Sequence, residues 1–364
     1  MTEAIYAQRR DKLRGLMRER GLDALLISRD ANRFYLSGFE LHDTQLNESS
    51  GRLVITGDGR DVLATDARFA VAAARLWESD RIFIYKDEAG DIARLLRNCG
   101  SRIGIESRGV SLAFARALGG AGGLFLQAAD GLVERLRAIK NTEEIAALSS
   151  SFALNHKVLG WLEQSLAEKG FAPGINERCL AWAIERFFRE NGASELAFPV
   201  IAAAGVNAAL PHAVPGDDKL GENNLLLVDI GCRVNDYCSD QTRTFWIGEK
   251  SGRAYARFAR VHALVYEAQQ AALAMMRPGV TGREVYGAAR AVFEKAGVAD
   301  AFTHGLGHGV GLETHEAPSL NSRNERPLES GMVVTVEPGL YYPDWGGVRL
   351  EYTVLVEEDG IRVL

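Results

Sequence analysis

The sequence predicts an α+β protein of two domains, a smaller α/β domain over residues 1–138 and a larger one over residues 139–364. Three observations carry this. At 364 residues the chain is too long for one ordinary hydrophobic core and too short for three. The first 138 residues alternate short strand-like apolar runs with helical patterns. The remainder passes twice through the same order of helix, helix and strand pair.

A charged amphipathic helix, Tyr6 to Arg20, opens the chain, and the apolar runs Ala24 to Ser28, Arg52 to Thr56, Val62 to Thr65, Arg81 to Tyr85 and Arg102 to Glu106 follow it. Helix-like segments separate most of them, as in a mixed sheet. The histidines of this domain end with His42, and its acidic residues are scattered. A hinge falls at Ala138 to Glu144, where Asn141 is placed to cap a helix and Glu144 to answer it in a capping box.

From Thr142 the residues Ile145, Leu148, Phe152, Leu159, Leu162 and Leu166 hold one helical face. A second helix is expected from Glu177 to Arg189, then strands at Phe198 to Ala203, Asn224 to Gly231 and Tyr237 to Gly248, the last two as a hairpin. The order then recurs. A long helix carries Phe258, Val261, Val265, Ala268, Ala272 and Met275 to a stop at Pro278-Gly279, and a helix capped by Thr281 with Glu284 runs to Gly297. Strands at Met332 to Glu337 and Val348 to Val356 complete the second unit. Residues 142–248 and 253–356 are thus similar units, each with two acids in its strand pair, and the repeat places a site between them.

Composition narrows the function classes. Hydrophobic residues make up 47% and charged residues 25%, as in ordinary globular domains, and no uncharged apolar stretch is long enough to cross a bilayer. The start of the chain, with Glu3, Arg9, Arg10 and Asp11, has no secretory pattern, so a cytoplasmic protein is expected. Four cysteines (Cys99, Cys179, Cys232 and Cys238) fit neither a disulfide framework nor a zinc-finger spacing. A net charge of -6 offers no basic field for phosphate backbones, which argues against nucleic acid as a partner.

The acids come next. If the hairpin turn centres on Val234-Asn235, Asp229 lies opposite Asp240, and like charges directly opposed destabilise a sheet unless something positive lies between them. A shifted turn with both acids solvated is the alternative. Glu337 ends the strand Val333 to Val336, and Glu351 falls inside an otherwise apolar strand, where a carboxylate is costly unless paired or ligated. A salt bridge to Arg349 would also serve Glu351. Four converging carboxylates, however, would either share protons or bind cations. The stretch from His304 to His315 adds His308 and interleaves its three histidines with glycines, a density that favours at least one as a metal ligand. An oxygen-rich set with one imidazole suits Mn²⁺ or Co²⁺, with Zn²⁺ or Fe²⁺ also open. Cys232 and Cys238 read as packing residues.

These stretches resemble the pita-bread metallopeptidases, and among them the Xaa-Pro aminopeptidases and prolidases. The matching motifs are Val228-Asp-Ile-Gly-Cys232, Tyr237-Cys-Ser-Asp240-Gln-Thr-Arg-Thr-Phe245, His304-Gly-Leu-Gly-His308-Gly-Val-Gly-Leu312, His315-Glu-Ala-Pro318, Val336-Glu337-Pro-Gly339 and Gly347-Val-Arg349-Leu-Glu351. They span the second domain in order. Gly21 to Leu26 and Asn32 to Gly38 resemble the N-terminal domain of the creatinase and prolidase branch. The resemblance implies a pita-bread C-terminal domain, a pseudo-symmetric antiparallel sheet flanked by helices, behind a creatinase-like α/β domain. It implies two divalent metal ions, with Asp229 on one, His308 and Glu337 on the other, and Asp240 and Glu351 bridging. Glu337 would be the general base, and His212, His304, His315 and Arg349 would bind substrate and move protons. The implied partners are a peptide with proline at its second position and a second copy of the chain, with no nucleic acid and no membrane. In the family an acidic residue usually follows the last glutamate, whereas Tyr352 stands here. A methionine aminopeptidase would share the ligands without the long N-terminal domain, creatinase would share both domains without the ligands, and a non-catalytic pita-bread binding module would have lost them.

Overall fold

Short aliphatic runs satisfy their backbone groups by pairing, and those of the N-terminal stretch pair into one six-stranded sheet. The computed structural model describes residues 2–43, 45, 48–120, 124–168 and 174–364. The chain divides into the units Met1–Arg137 and Ala138–Leu364.

In the first unit, β1 (Ala24–Ile27), β2 (Arg52–Thr56), β3 (Val62–Thr65), β4 (Ile82–Ile84), β5 (Arg102–Ile105) and β6 (Phe125–Ala128) lie in the order β4-β3-β2-β1-β5-β6. Antiparallel pairs (β1 with β2, β2 with β3) and parallel pairs (β1 with β5, β3 with β4, β5 with β6) make it the mixed sheet expected. Among the described residues six α-helices accompany it: α1 (Glu3–Glu19), α2 (Asp30–Ser37), α3 (Ala70–Ala74), α4 (Glu88–Arg97), α5 (Leu112–Gly120) and α6 (Leu132–Arg137). Gly38 ends α2 with φ 73°, and a Cβ there would lie within 3.0 Å of the Tyr6 ring. Arg33 on α2 is fully buried and grips Asp43 through both terminal nitrogens, at 3.0 and 2.9 Å.

The second unit starts with the capping box foreseen at Asn141 and Glu144, which opens α7 (Thr142–Ala167), and continues with α8 (Glu177–Glu190). Then come β7 (Glu195–Leu196), β8 (Ile201–Ala204), β9 (Asn224–Ile230), β10 (Cys232–Val234), β11 (Tyr237–Cys238) and β12 (Gln241–Ile247). The second half follows with α9 (Gly252–Met275), α10 (Gly282–Lys295), β13 (Gly307–Gly309), β14 (Glu316–Leu320), β15 (Val333–Val336), β16 (Gly339–Tyr342), β17 (Gly346–Arg349), β18 (Tyr352–Glu357) and β19 (Gly360–Val363). One sheet runs β12-β9-β8 and the other β14-β13-β15-β18-β19. Each half therefore has a strand, a small hairpin and a return strand: β9, β10–β11, β12 in the first, and β15, β16–β17, β18 in the second. Thr242 O accepts from Glu351 N at 3.1 Å and Thr353 Oγ1 donates to Asp240 O at 3.2 Å, which joins the return strands of the two halves.

The strand β9 is apolar from Leu225 to Val228 because both of its faces are covered there. Leu225 and Leu227 pack in the cluster of α9 and α10, while Leu226, Val228 and Ile230 pack in that of α7 and α8. The expected strand Phe198 to Ala203 begins only at Ile201. Tyr237 to Gly248 is not one strand but two, interrupted at Ser239 and Asp240, and Val348 to Val356 likewise breaks at Leu350 and Glu351. At both breaks the backbone leaves a small hairpin to join a different strand, which apolar composition cannot reveal.

Candidate metal centre

Each half delivers its acids from the same two places. Asp229 is the penultimate residue of β9 and Asp240 precedes β12, while Glu337 follows β15 and Glu351 precedes β18. The register differs from the one expected: Asp229 lies opposite Thr242, not Asp240. The turn centres on Asn235 and Asp236, whose φ of 52° and 71° build the tight primed turn that short polar residues tolerate. The resulting slip is two residues, an even number, so Asp240 keeps its face and becomes the diagonal neighbour of Asp229.

The consequence is a buried carboxylate cluster. One ligand atom from each of Asp229, Asp240 and Glu351 lies within 4.8 Å of the others. His308, on β13, brings Nε2 to 3.6 Å from Asp240 Oδ2 and 3.2 Å from Glu337 Oε1. The five residues expected to hold metal are thus gathered. Asp229 Oδ1 and Glu351 Oε1 are buried with no hydrogen-bond partner. A buried anionic oxygen left bare costs free energy that a divalent cation would recover, so the donor set fits metal. A mixed set of carboxylates and one imidazole fits a hard or borderline ion.

The electrostatics agree. Burial, with the charges of Glu351, Asp229 and Glu337, pushes the Asp240 carboxyl well above the usual range, and burial with Glu337 and Asp229 does the same to Glu351. Burial would lower the His308 imidazole, but its hydrogen bond to Glu337 and the charges of Glu337 and Glu351 win and hold it at about 9. Burial would raise Glu337, yet the bond and charge of His308 bring it to about 2.

Arg349 does not pair with Glu351, the alternative left open by the sequence. Its Nη2 donates to Asp229 Oδ2 at 2.7 Å, its Nε to Thr242 Oγ1 at 3.0 Å, and its Nη1 to Tyr341 OH at 2.9 Å and to Pro211 O at 3.0 Å. Thr242 Oγ1 in turn donates to Glu351 Oε2 at 2.9 Å. His304 Nε2 meets Tyr341 OH at 2.9 Å, and its ring titrates low chiefly because it is buried. The exposed His315 lies tilted beside His308, with ring centroids 4.1 Å apart and an interplanar angle of 49°. His212 lies on an exposed loop, and its charge is felt by both His304 and His315. The Tyr352 ring takes the Arg243 guanidinium at 4.5 Å, and Arg243 Nη1 also donates to the carbonyls of Thr242 and Glu351. Cys232 and Cys238 are buried, bond to the carbonyls of Ser151 and Leu312, and have thiols pushed to about 11 by burial.

Sequence reading missed Thr242 and Tyr341. Thr242 had a signal, since it shares strand parity with Asp240 and so faces the same acids. Tyr341 had none.

Comparison with known proteins follows the same outline. Residues 146–358 match metallopeptidase family M24 and residues 9–139 match the creatinase/prolidase N-terminal domain. The chain is 32% identical to the Xaa-Pro dipeptidase of Pyrococcus furiosus, over 98% of this chain and 97% of that one. Among solved structures it resembles the Xaa-Pro dipeptidase from Bacillus anthracis, with TM-score 0.88, 30% identity and coverage of 98% and 97%. It also resembles the prolidase from Pyrococcus horikoshii, with TM-score 0.87, 30% identity and the same coverages.

Proposed function

The chain belongs to metallopeptidase family M24, and from that membership we propose that it hydrolyses the peptide bond preceding proline in Xaa-Pro substrates. The single observation that carries this reading is the cluster of Asp229, Asp240 and Glu351, with His308 and Glu337 against it, in a chain nearly a third identical to an Xaa-Pro dipeptidase along its whole length.

In this reading Asp229, Asp240, His308, Glu337 and Glu351 would hold the two ions, with Mn²⁺ or Co²⁺ favoured by the oxygen-rich donors. The bound ions supply Lewis acidity and make water acidic enough to react near neutral pH. Arg349 orients the Asp229 carboxylate, and Thr242 orients that of Glu351. The Glu337 carboxylate, ionised at working pH, accepts the proton of the attacking water and returns it to the departing proline nitrogen. The imidazoles of His212 and His315 donate to the carbonyl oxygen as it gains charge. Proline brings a rigid ring and no amide hydrogen, so selectivity rests on packing around that ring in the transition state.

The test is kcat/KM for Ala-Pro, Ala-Pro-Ala, Ala-Ala and Met-Ala-Ser with Mn²⁺, Co²⁺ and Zn²⁺ in turn. Ala-Pro is expected to exceed Ala-Ala by roughly 10- to 100-fold, the scale of packing selectivity. If Met-Ala-Ser is cut best under every metal, the proline reading fails. Undiminished turnover after exhaustive chelation, checked by elemental analysis, would remove the metal reading.

A further inference from the structure

We propose that Glu177 is a positioning residue for catalysis, a buried carboxylate that clamps the loop 204–216 and so sets where His212 stands. The proposal rests on the substrate-facing role given to His212 above. It begins from a contrast. His212 is exposed, and among the described residues its ring makes no hydrogen bond or ion pair. Its place depends on the backbone that carries it.

That backbone is held from two sides. Glu177, the first residue of α8, is fully buried, and its two oxygens take three donors from the loop. Oε1 accepts from Ala204 N at 2.6 Å, and Oε2 accepts from Gly216 N at 2.8 Å and from Asn207 Nδ2 at 2.7 Å. The two ends of the loop are thereby tied to one carboxylate. Asn207 Nδ2 also reaches Val214 O at 3.2 Å, which links the loop across its middle. On the other side, a Cβ at Gly346 would lie 2.4 Å from Gly205 O and one at Gly347 would lie 2.3 Å from Ala208 O, so β17 packs against the loop without side chains between. From the end of β17, Arg349 Nη1 holds Pro211 O at 3.0 Å, one residue before His212.

The chemistry of the clamp is specific to a carboxylate. Three N–H donors converge on two oxygens, and a buried carboxylate remains stable there because those charge-assisted bonds satisfy it. An amide in its place keeps the volume but turns one of the two positions into an N–H facing an N–H. Whichever way that amide rotates, one end of the loop is released. A displacement near 1 Å in a group that touches the reacting carbonyl can cost on the order of 100-fold in rate, whereas the ions, which would be held by residues in β9 and β13 and next to the ends of β12, β15 and β18, would stay in place.

The experiment is a double-mutant cycle on the metal-loaded enzyme with Ala-Pro as substrate, using Glu177→Gln, His212→Ala and the pair, with kcat, KM and bound metal measured for each. Glu177→Gln is expected to lower kcat by about 10- to 100-fold, with metal content unchanged and KM moved far less. The double variant is expected to be no slower than His212→Ala alone, because a residue that acts through another has nothing left to act on. Wild-type kcat in Glu177→Gln, or losses that multiply in the double variant, would overturn the proposal. Full activity in His212→Ala would instead strike the reading of His212 itself. If Glu177→Gln does not fold, Asn207→Ala removes one strut of the same clamp and is read by the same cycle.

Discussion

Arg349 bonds one oxygen of Asp229, Oδ2, at 2.7 Å, and leaves the other, Oδ1, buried without a partner. The guanidinium thus turns a symmetrical carboxylate into a directed one. Arg349→Lys would keep a positive charge but lose the fork that simultaneously reaches Thr242, Tyr341 and Pro211. The expected outcome is metal affinity and kcat/KM each reduced by roughly 10- to 100-fold, the range for a lost support of a metal ligand. Calorimetric titration of the metal-stripped protein with Mn²⁺ checks it, and an affinity equal to wild type would show that Asp229 is oriented by something else.

Asp240→Asn separates stability from activity. Asp240 is crowded by Glu351, Asp229 and Glu337, so replacing its carboxyl by a neutral isostere relieves repulsion in the metal-free protein. The metal-free variant is expected to melt at or above the wild-type temperature, while turnover of the metal-supplied variant drops at least about 100-fold. Near-normal turnover would remove Asp240 from its bridging role.

Metal affinity is expected to climb with pH. His308 sits at about 9 without a cation, so at pH 7 its imidazole carries a proton that an incoming ion must expel, and the upward displacement of Asp240 and Glu351 by burial and by neighbouring carboxylates works in the same direction. A group whose folded pKa is raised is deprotonated only above that value. Between pH 6 and 8 the logarithm of the Mn²⁺ association constant is therefore expected to rise by about one per pH unit. Titrations in buffers of different ionisation enthalpy count the released protons. A pH-independent affinity in that window contradicts the proton-for-metal exchange.

In the first unit the sign is opposite. Burial would raise the Asp43 carboxyl, but the hydrogen bond and charge of Arg33, with bonds from Ser50 and Ser49, bring it down to about 2. A depressed carboxylate contributes stability that is present above its unfolded pKa and is lost as pH falls through the folded one. Asp43→Asn is expected to cost about 2 kcal/mol at pH 7, and the gap to wild type should narrow below about pH 4. Urea midpoints from pH 7 to 3 measure it, and a gap that widens in acid would refute the pairing.

Much of this arrangement was legible because the motifs lie at strand ends, where chemistry interrupts an apolar run. Asp229 and Glu337 show up as carboxylates that stop aliphatic strands. The pairing of Asp229 was misplaced by two residues because the turn depends on positive φ at Asn235 and Asp236, a property that the pair Val234-Asn235 shares only in part. Glu351 was placed inside a strand because nothing in Val348 to Val356 signals the change of partner at Leu350. The contacts of Arg349, and the clamp at Glu177, join residues far apart in sequence, and a single sequence carries no record of such distances.

The repeat has a mechanical side. Asp229 and Asp240 come from one half of the second unit, and His308, Glu337 and Glu351 from the other. Cations bound among them would act as a reversible cross-link, closing the long chain segment between Asp240 and His308 and biasing the ensemble toward the assembled halves. Starving the protein of its ions would then loosen the scaffold as well as silence the chemistry, and the working lifetime of the chain among other proteases would track its metal supply.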